Sequence, residues 1–468
     1  MHTPLPLTPQ AAAYAWRQLT HRAGLEHDRL EALGMTLVYA SPDTVRPDRP
    51  AVVVAPCAPQ AWDTLVQRSA HSLDWLLPQR VFPPREAAAH TERMPVLLWG
   101  QCAADGTRPF AEVRADGCLV FYADILAAAV FLLSRWEETD ASAFDAHGRF
   151  PMERSAAARH GFLDRPLVDE YALVLRAWLQ QVQPEWQPKR RAFSVRLTHD
   201  IDHLRPFVSL SRGLLVLGAD MLRRRSLRQA AHTAAQLREQ AGALGSTAAA
   251  RAVGELMELS TRAGLGGTYY FMAARPGRYQ GGYDPAHPAA RALIRAAQAQ
   301  GFTLGLHPGY EAFLDPQRLA DEKTRLEAAA GGELREVRAH FLRFRVPDTW
   351  RHFQEAGFTH DSSLGSSSLV GFRASTCHPY RPFDLERNAE MTLMERPLIA
   401  MDAALAVGGR TPQAGCALAL EMAERCRRVE GDFVLLWHNT SLIEEWAAWS
   451  AAYRELILRL ADLQAGRA

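Results

Sequence analysis

The chain has 468 residues, of which 48% are hydrophobic and 22% are charged, a composition typical of a soluble globular protein with two or three domains. The formal net charge is +1, so the overall charge gives no reason to expect binding to nucleic acid or to an anionic membrane. A short run of arginines, Arg223–Arg225, is interpreted as the solvated face of a helix.

The cysteines and the N-terminus predict the cellular compartment. The six cysteines are scattered and none forms a C-x-x-C pair, which favours free thiols in a reducing compartment. The first ten residues, MHTPLPLTPQ, lack the basic and apolar segments of a signal peptide. The apolar stretch GLLVLGADML, which begins at Gly213, is far shorter than the ~20 residues that a membrane span needs. We therefore expect a cytoplasmic protein without a transmembrane segment.

The first part of the chain has the pattern of a small α/β domain. Apolar runs predict strands at Ala51–Pro56, Met94–Gly100 and Gly117–Ala123, and helical periodicity covers Ile125–Glu138 and Leu167–Gln181. The acidic pair Glu137–Glu138 is interpreted as a solvated helix end.

A boundary between domains is predicted at Gln181–Ala192. This segment has two prolines, a run of charged residues and no apolar periodicity. We predict an N-terminal α/β accessory domain over residues 1–185 and a second domain over residues 190–465.

The second part of the chain alternates apolar strands with helices. The strand candidates are Phe193–His199, Gly267–Ala273, Phe302–His307, Glu336–Phe341, Leu393–Ile399 and Phe433–His438. The helix at Ala290–Gly301 ends at a glycine, as helices often do. This alternation implies a parallel sheet with crossover helices. About six or seven such units match the size of a TIM-like β/α barrel.

Aspartates and histidines cluster at the C-terminal ends of these strands. The first strand ends in His-Asp-Ile-Asp-His, residues 199–203, and others end in or near His307, His340 and His438. In a β/α barrel these ends converge on one face, which is where active sites lie. Residues at the ends of strands that are distant in sequence are therefore predicted to form one functional site.

The residue types in this cluster suit metal-assisted hydrolysis. Asp and His ligands with open positions are typical of a catalytic zinc-type site. A metal ion there polarises a carbonyl group and lowers the pKa of its water towards ~7. A free aspartate could accept the water's proton, and a histidine on the opposite wall could protonate a leaving amine. The cluster is therefore suited to the hydrolysis of an amide or an ester.

Four stretches resemble, in order, the motifs of the polysaccharide deacetylases, also called the NodB-homology or carbohydrate esterase family 4. LTHDID (Leu197–Asp202) is similar to the first motif, and GLHPGY (Gly305–Tyr310) lies where the metal-binding histidine motif falls. FRVPDTWRHFQEAGFTHDSSLG (Phe344–Gly365) resembles the Arg-x-Pro stretch with its following helix and strand, and VLLWHN (Val434–Asn439) resembles the last motif. The resemblance covers roughly residues 190–445 and implies a distorted TIM-like barrel of the NodB type.

The resemblance implies roles for individual residues. Asp200 matches the catalytic base and His438 the general acid, while Asp202 and His307 match metal ligands. The implied cofactor is a divalent metal, with zinc first and cobalt or nickel as alternatives. Phe131–Asp140 and neighbouring stretches resemble the domain that precedes such modules in some bacterial proteins, for which no activity is implied.

The third metal ligand departs from the family pattern. A histidine is expected four residues after His307, but Glu311 stands there. Glutamate can also ligate such metals. The alternative is His340, which we favour because a strand end is better fixed than the loop that begins at Pro308–Gly309.

Other candidates have supporting roles. Arg345 matches the arginine that orients the base, and Arg373 is a rival for this role that could instead contact substrate. Trp437, next to His438, is a candidate for lining a sugar site. His199 and His203 lie at the end of the first strand. They are interpreted as structural residues or as residues that orient a metal ligand.

We therefore expect a metal-dependent hydrolase that removes an acetyl group, with N-deacetylation of a sugar in a bacterial polysaccharide or glycoconjugate precursor as the leading function. The substrate would be a small molecule or an oligosaccharide. One alternative is a C–N hydrolase that acts on a non-sugar amide with the same barrel. Another is an inactive barrel that binds a glycan or a partner, because the second histidine of the family motif is missing. The sequence specifies neither the oligomeric state nor the role of the N-terminal domain.

Overall fold

A computed structural model describes residues 7–25, 30, 33–45, 48–103, 107–140, 144–207, 209–277, 279–280, 283–443 and 446–467. The first six residues, part of the stretch without a recognised signal peptide, lie outside the described residues. All six cysteines are free. Within these ranges every helix is too short or too polar to cross a lipid bilayer.

The N-terminal region is a small α/β unit. Its strands are β1 (Thr36–Tyr39), β2 (Ala51–Val54), β3 (Asp74–Leu76), β4 (Met94–Val96), β5 (Ala111–Val113) and β6 (Leu119–Phe121). Its helices are α1 (Pro9–Ala23), α2 (Ala61–Gln67), α3 (Pro84–Ala87), α4 (Ile125–Leu133), α5 (Ala156–Arg159) and α6 (Leu167–Val182). Four strands form one sheet in the order β1-β2-β6-β5, with only β5 antiparallel to its neighbour. Strands β3 and β4 form a separate antiparallel pair, so the strand predicted from Met94 is shorter and lies outside the main sheet.

The sequence explains where helix α4 begins and where it ends. Asp124 caps its N-terminus by accepting a hydrogen bond from the Ala127 amide at 2.9 Å. All nine residues of α4 are apolar and buried, so the helix fills the core instead of facing solvent. The helix ends before Arg135, which has a left-handed backbone with φ 54°, so the predicted extension to Glu138 is wrong.

The C-terminal region contains the larger sheet. Its strands are β7 (Ser194–Ile201), β8 (Gly267–Met272), β9 (Thr303–His307), β10 (Glu336–Val337), β11 (His360–Asp361), β12 (Phe383–Asp384), β13 (Ala389–Glu390), β14 (Met394–Glu395), β15 (Ala400–Met401) and β16 (Asp432–Leu436). Its helices are α7 (Leu210–Leu222), α8 (Leu227–Ala241), α9 (Ala248–Ala263), α10 (Pro288–Ala299), α11 (Pro316–Ala330), α12 (Asp348–Glu355), α13 (Asp402–Ala406), α14 (Pro412–Arg428) and α15 (Ala447–Gln464). Eight strands form a parallel sheet in the order β14-β11-β10-β9-β8-β7-β16-β15.

This architecture confirms the predicted α/β class, with a parallel barrel-like sheet that follows a smaller α/β unit. The sheet curls into an open, distorted barrel whose two edges are β14 and β15. The strand predicted over Glu336–Phe341 is only two residues long, because the chain turns after Val337 and Phe341 takes a left-handed backbone with φ 60°. The division into domains at residues 185–190 stays a prediction.

Buried ion pairs join the N-terminal region to the barrel-like region. Glu138 accepts a hydrogen bond from Arg373 at 2.6 Å and another from Arg135 at 2.9 Å, and all three side chains are at most 3% exposed. Glu137 also pairs with Arg135 and accepts a hydrogen bond from the Ala156 amide. The interpretation of Glu137–Glu138 as a solvated helix end is therefore wrong.

This network predicts a large loss of stability on substitution. Glu138→Gln leaves the Arg373 guanidinium buried without a charged partner, so we expect the free energy of unfolding to fall by about 3–5 kcal/mol in denaturant titrations. Glu258→Gln is the control, because its ion pair with Arg262 is exposed on both sides and is expected to contribute about 0–1 kcal/mol. Equal effects of the two substitutions would contradict the structural role of Glu138.

Candidate metal and catalytic site

The C-terminal edge of the parallel sheet gathers the side chains predicted from the sequence. Strand β7 delivers Asp200 and, one residue after its end, Asp202. Strand β9 ends at His307, and β16 ends two residues before His438. His340 begins the turn after β10, which pairs with β9 in parallel. Parallel pairing is what brings residues from four distant segments to one edge.

Asp202, His307 and His340 form a compact cluster of metal-ligand type. The Asp202 Oδ1 atom lies 3.1 Å from His307 Nε2 and 3.6 Å from His340 Nδ1. The two histidine nitrogens are 3.0 Å apart. These separations are close to those between ligand atoms that each lie about 2.0–2.2 Å from one cation. Glu311 is exposed and outside this cluster, so the geometry favours His340 as third ligand.

The outer hydrogen bonds of both histidines fix which nitrogens face the cluster. His307 Nδ1 donates to the Arg338 carbonyl oxygen at 2.8 Å, and His340 Nε2 donates to the Tyr279 carbonyl oxygen at 2.8 Å. A neutral imidazole has one N–H, so the lone pairs of His307 Nε2 and His340 Nδ1 both point into the cluster. There they meet Asp202 Oδ1, a buried atom without a hydrogen-bond partner among the described residues. Three electron-pair donors that face one point fit a bound cation.

The pKa values of His340 and Asp202 are shifted in the directions that suit metal ligands. Burial lowers the pKa of His340 to about 4, so its ring is neutral at pH 7, as a metal ligand must be. Burial opposes the charge of Asp202, but the neighbouring His340 and His307 hold the pKa of its carboxyl below the usual range. Burial opposes the charge of His307, but the neighbouring Asp200 and Asp202 raise the pKa of its ring, so a bound cation would take the place of a proton on Nε2. With that proton displaced, the cluster presents two imidazoles and one carboxylate, a donor set that suits zinc and similar divalent metals.

Asp200 lies beside the cluster as a separate carboxylate. Its Oδ2 atom is 3.8 Å from His307 Nε2, and its Oδ1 atom accepts a hydrogen bond from Arg338 at 3.2 Å. Arg338 is fully buried and also donates to Thr198 and to the Ser362 carbonyl, which fixes its guanidinium. Arg338 therefore makes the contact that the sequence assigned to Arg345 or Arg373.

His438 faces the same cluster from β16. Its Nδ1 donates to Asp402 at 2.9 Å, and its amide donates to the second oxygen of Asp402 at 2.8 Å. Its Nε2 is 3.8 Å from Asp202 Oδ2. Burial opposes protonation, but the Asp402 carboxylate raises the pKa of His438 to about 10. The ring is therefore protonated at neutral pH and can donate a proton into the cavity.

These groups line an open cavity of about 240 Å³. Its walls include Met401, Leu436 and Phe341, together with Ser367 and one residue of the N-terminal region, Arg149. Arg149 donates from Nη1 to Ser367 Oγ at 3.2 Å and to the Phe341 carbonyl at 3.3 Å. The cavity is thus built by both regions of the chain.

Three sequence candidates, Arg373, Arg345 and Trp437, lie outside the lining of this cavity. The Arg373 guanidinium is engaged by Glu138 and the Gly365 carbonyl. The Arg345 guanidinium stacks over Phe144 at 4.8 Å. Trp437 is fully buried and stacks on Tyr453, with ring centroids 4.3 Å apart, so it packs the core instead of lining the cavity.

His199 and His203 support the local structure. His199 is buried and donates from Nδ1 to the Trp437 carbonyl at 2.9 Å, and burial lowers the pKa of its ring to about 4. The His203 carbonyl accepts a hydrogen bond from Asn439 at 2.8 Å. Neither histidine belongs to the cluster of possible metal ligands.

Sequence reasoning missed Arg338, Asp402 and Arg149. A charged residue in the middle of the apolar run EVRAHF is costly to bury without a partner, which would have pointed to Arg338. Asp402 follows β15, a strand of only two residues. The short apolar run of that strand could not be separated in the sequence from the predicted strand Leu393–Ile399 before it. No local pattern distinguishes Arg149, because its contact with the cavity depends on how the two regions pack.

A larger cavity of about 910 Å³ lies elsewhere, at the junction of α2, the turn at Trp136 and the loop at Val346–Pro347. Its described lining contains acidic residues and arginines but no histidine. The smaller cavity therefore remains the candidate active site on chemical grounds.

Comparisons with known proteins find one matching family model and a set of similar solved structures. Residues 71–184 match a family model described as a family of unknown function, DUF7033. A search of curated proteins found no match. The chain is similar in structure to polysaccharide deacetylases and family 4 carbohydrate esterases.

Three solved structures illustrate the similarity. A provisionally described polysaccharide deacetylase from Mycobacterium smegmatis is 19% identical, with 59% of this chain and 86% of that chain covered and a TM-score of 0.38. Puue allantoinase is 17% identical, with 58% and 85% covered and a TM-score of 0.35. A family 4 carbohydrate esterase from Streptomyces lividans, in complex with acetate, is 12% identical, with 46% and 82% covered and a TM-score of 0.28. The chemistry inferred below therefore depends on the side chains of this chain.

Proposed function

We propose that this protein is a metal-dependent hydrolase that removes the acetyl group from an N-acetylated sugar. One observation carries the proposal: two histidine lone pairs and a buried carboxylate oxygen meet at one point, with Asp200 and a protonated His438 beside them. This arrangement provides a cation site, a base and an acid around one cavity.

The metal would be held by Asp202, His307 and His340, and zinc, cobalt or nickel suits this donor set. A cation there would polarise the acyl carbonyl group and make a neighbouring water more acidic. Glu311 is the alternative third ligand, and its exposed position argues against it.

Asp200 would accept the proton of the attacking water. It lies outside the three-ligand cluster, and a base must be within hydrogen-bond reach of the proton that it takes. Arg338 holds the Asp200 carboxylate in one orientation through a contact at 3.2 Å. Arg338 is thus a positioning residue for the base.

His438 would protonate the leaving nitrogen. Its Nδ1–H bond to Asp402 directs Nε2 into the cavity, towards the same space that Asp200 faces. Without this proton the amine would have to leave as an anion, which is why amide hydrolysis needs an acid on the leaving-group side.

The lining of the cavity supports a sugar as substrate. Arg149 and Ser367 are hydroxyl-binding groups at its wall, and a second cavity of about 310 Å³ shares these two residues and Leu342 with it. Ser366 and Ser368 line that second cavity. The N-terminal region would thus help to bind the part of a glycan next to the acetylated residue.

Acetate release tests the proposal. The purified protein would be loaded with zinc, cobalt or nickel and assayed on N-acetylated mono- and oligosaccharides, with chelator-treated protein as the control. We expect acetate from at least one sugar, and its loss after chelation with recovery on metal addition. No acetate from any sugar with metal-loaded protein would contradict the proposal.

Assays of non-sugar amides, of metal content and of glycan binding on the same protein separate the alternative functions. Hydrolysis of a non-sugar amide without acetate release from sugars would favour a C–N hydrolase that uses the same cluster. Absence of bound metal together with tight glycan binding would favour an inactive binding barrel.

A further inference from the structure

A helical hairpin outside the candidate active site concentrates exposed apolar side chains. The large apolar residues that are exposed number eleven among the described residues, and six of them lie on α7 and α8. These six are Leu210, Leu214, Leu215, Met221, Leu222 and Leu227. Their exposed fractions run from 50% to 84%, whereas the other five are scattered over the chain. Single exposed leucines are ordinary, but a concentration of this kind marks an interaction surface.

The exposed residues of α7 share one side of the helix. Leu210, Leu214 and Met221 are separated by four and seven residues, and Leu215 and Leu222 lie one position further round, so the five form one stripe. The hairpin is held together by other groups. Thr233 on α8 donates to the buried Asp220 on α7 at 2.6 Å, and Gly213 permits close packing against Phe207 and Leu237. The stripe is therefore not needed to hold the two helices together.

Basic residues accompany the stripe. Residues 207–241 contain six arginines and two acidic residues, a net charge of +4, whereas the whole chain has a net charge of only +1. Four of these arginines, Arg223, Arg224, Arg225 and Arg228, surround the turn between α7 and α8 and are exposed. The turn thus carries exposed arginines next to the exposed Leu222 and Leu227, and one of them, Arg224, also pairs with the buried Asp220 at 2.7 Å.

We propose that this hairpin docks on the surface of an anionic phospholipid bilayer. Apolar side chains can enter the boundary between head groups and acyl chains, while arginines beside them bind lipid phosphates. A second copy of this chain fits less well, because a symmetric contact would bring two surfaces of +4 together. The net charge of the whole chain is too small to show this local positive charge.

In the chain, the hairpin follows the strand that brings two aspartates to the candidate site. Strand β7 ends at Ile201, at the edge of the sheet that carries Asp200 and Asp202. The hairpin begins shortly after this strand in the chain, at Leu210. The docking itself does not depend on the reaction.

Vesicle sedimentation tests the proposal on the full chain. Wild-type protein is mixed with phosphatidylcholine vesicles that contain about 30 mol% phosphatidylglycerol, or none, at low and high salt. We expect sedimentation with the anionic vesicles only, at least tenfold weaker in high salt. Arg223→Gln with Arg225→Gln and Arg228→Gln should weaken it at least tenfold, and so should Leu214→Ser with Leu215→Ser and Leu222→Ser.

Matched variants control for charge and apolar surface in general. Arg262→Gln and Leu458→Ser remove an exposed arginine and an exposed leucine on helices outside the hairpin, and should sediment like wild type. Equal sedimentation with neutral vesicles, or none with anionic ones, would overturn the proposal. A dimer in light scattering that the leucine variants dissociate, without vesicle binding, would instead assign the stripe to self-association. Each result stands whether or not acetate is released.

Discussion

Replacing Asp200 with asparagine is expected to lower kcat for acetate release by about 10²–10⁴-fold, the contribution of a general base. Asparagine keeps the shape of the side chain and can still accept the hydrogen bond from Arg338, but it cannot accept a proton from water at neutral pH. The measurement is kcat on the best substrate, with metal content determined on the same sample.

The metal content makes this result specific. Asp200 lies outside the three-ligand cluster, so Asp200→Asn should keep the metal of the wild type. A variant that keeps more than about a tenth of the wild-type kcat would exclude Asp200 as the base. A variant that loses its metal would instead make Asp200 a ligand.

Replacing Asp402 with asparagine is expected to lower kcat by about 10²-fold or more while the metal content stays unchanged, because the proton donor is no longer oriented or charged. In the wild type the Asp402 carboxylate raises the pKa of His438, so the acid stays protonated well above neutral pH. Without that carboxylate the pKa falls, and the decline of kcat on the alkaline side of the pH profile should begin at a lower pH.

Asp432→Asn is the matched control for Asp402→Asn. Both aspartates are 1% exposed, but Asp432 lies at the opposite end of β16, where it binds Arg191 and Ser194. Its replacement should lower stability without moving the pH profile. The same pH shift in both variants would show that the effect of Asp402 is a general consequence of removing a buried carboxylate.

The sequence predicted the fold class because the buried strands are long enough to show their pattern. Strands β7, β8, β9 and β16 each have five or more residues and were located within two residues of their ends. Strand β11, which is second from one edge of the sheet, and the edge strand β15 have two residues each, too few for an apolar pattern to distinguish them from loops. The number of strands in the sheet was therefore underestimated.

The site was predictable where side chains follow a strand end and unpredictable where they depend on packing. Asp202, His307 and His340 come together because their strands are parallel neighbours or lie close in the sheet. The sequence analysis assigned the arginine that contacts the base to Arg345 or Arg373, whereas the fold brings Arg338 to Asp200 and pairs Arg373 with Glu138. The contribution of Arg149 required the packing of both regions.

Metal analysis of the purified protein tests the central claim most directly. By inductively coupled plasma mass spectrometry, we expect one divalent metal per chain in the wild type and in His203→Ala, and loss of that metal in His340→Ala. His203 is the matched control, since it lies near the same edge but outside the cluster. Retention of the metal in His340→Ala together with its loss in Glu311→Ala would contradict the account, and so would a wild-type protein that binds no metal.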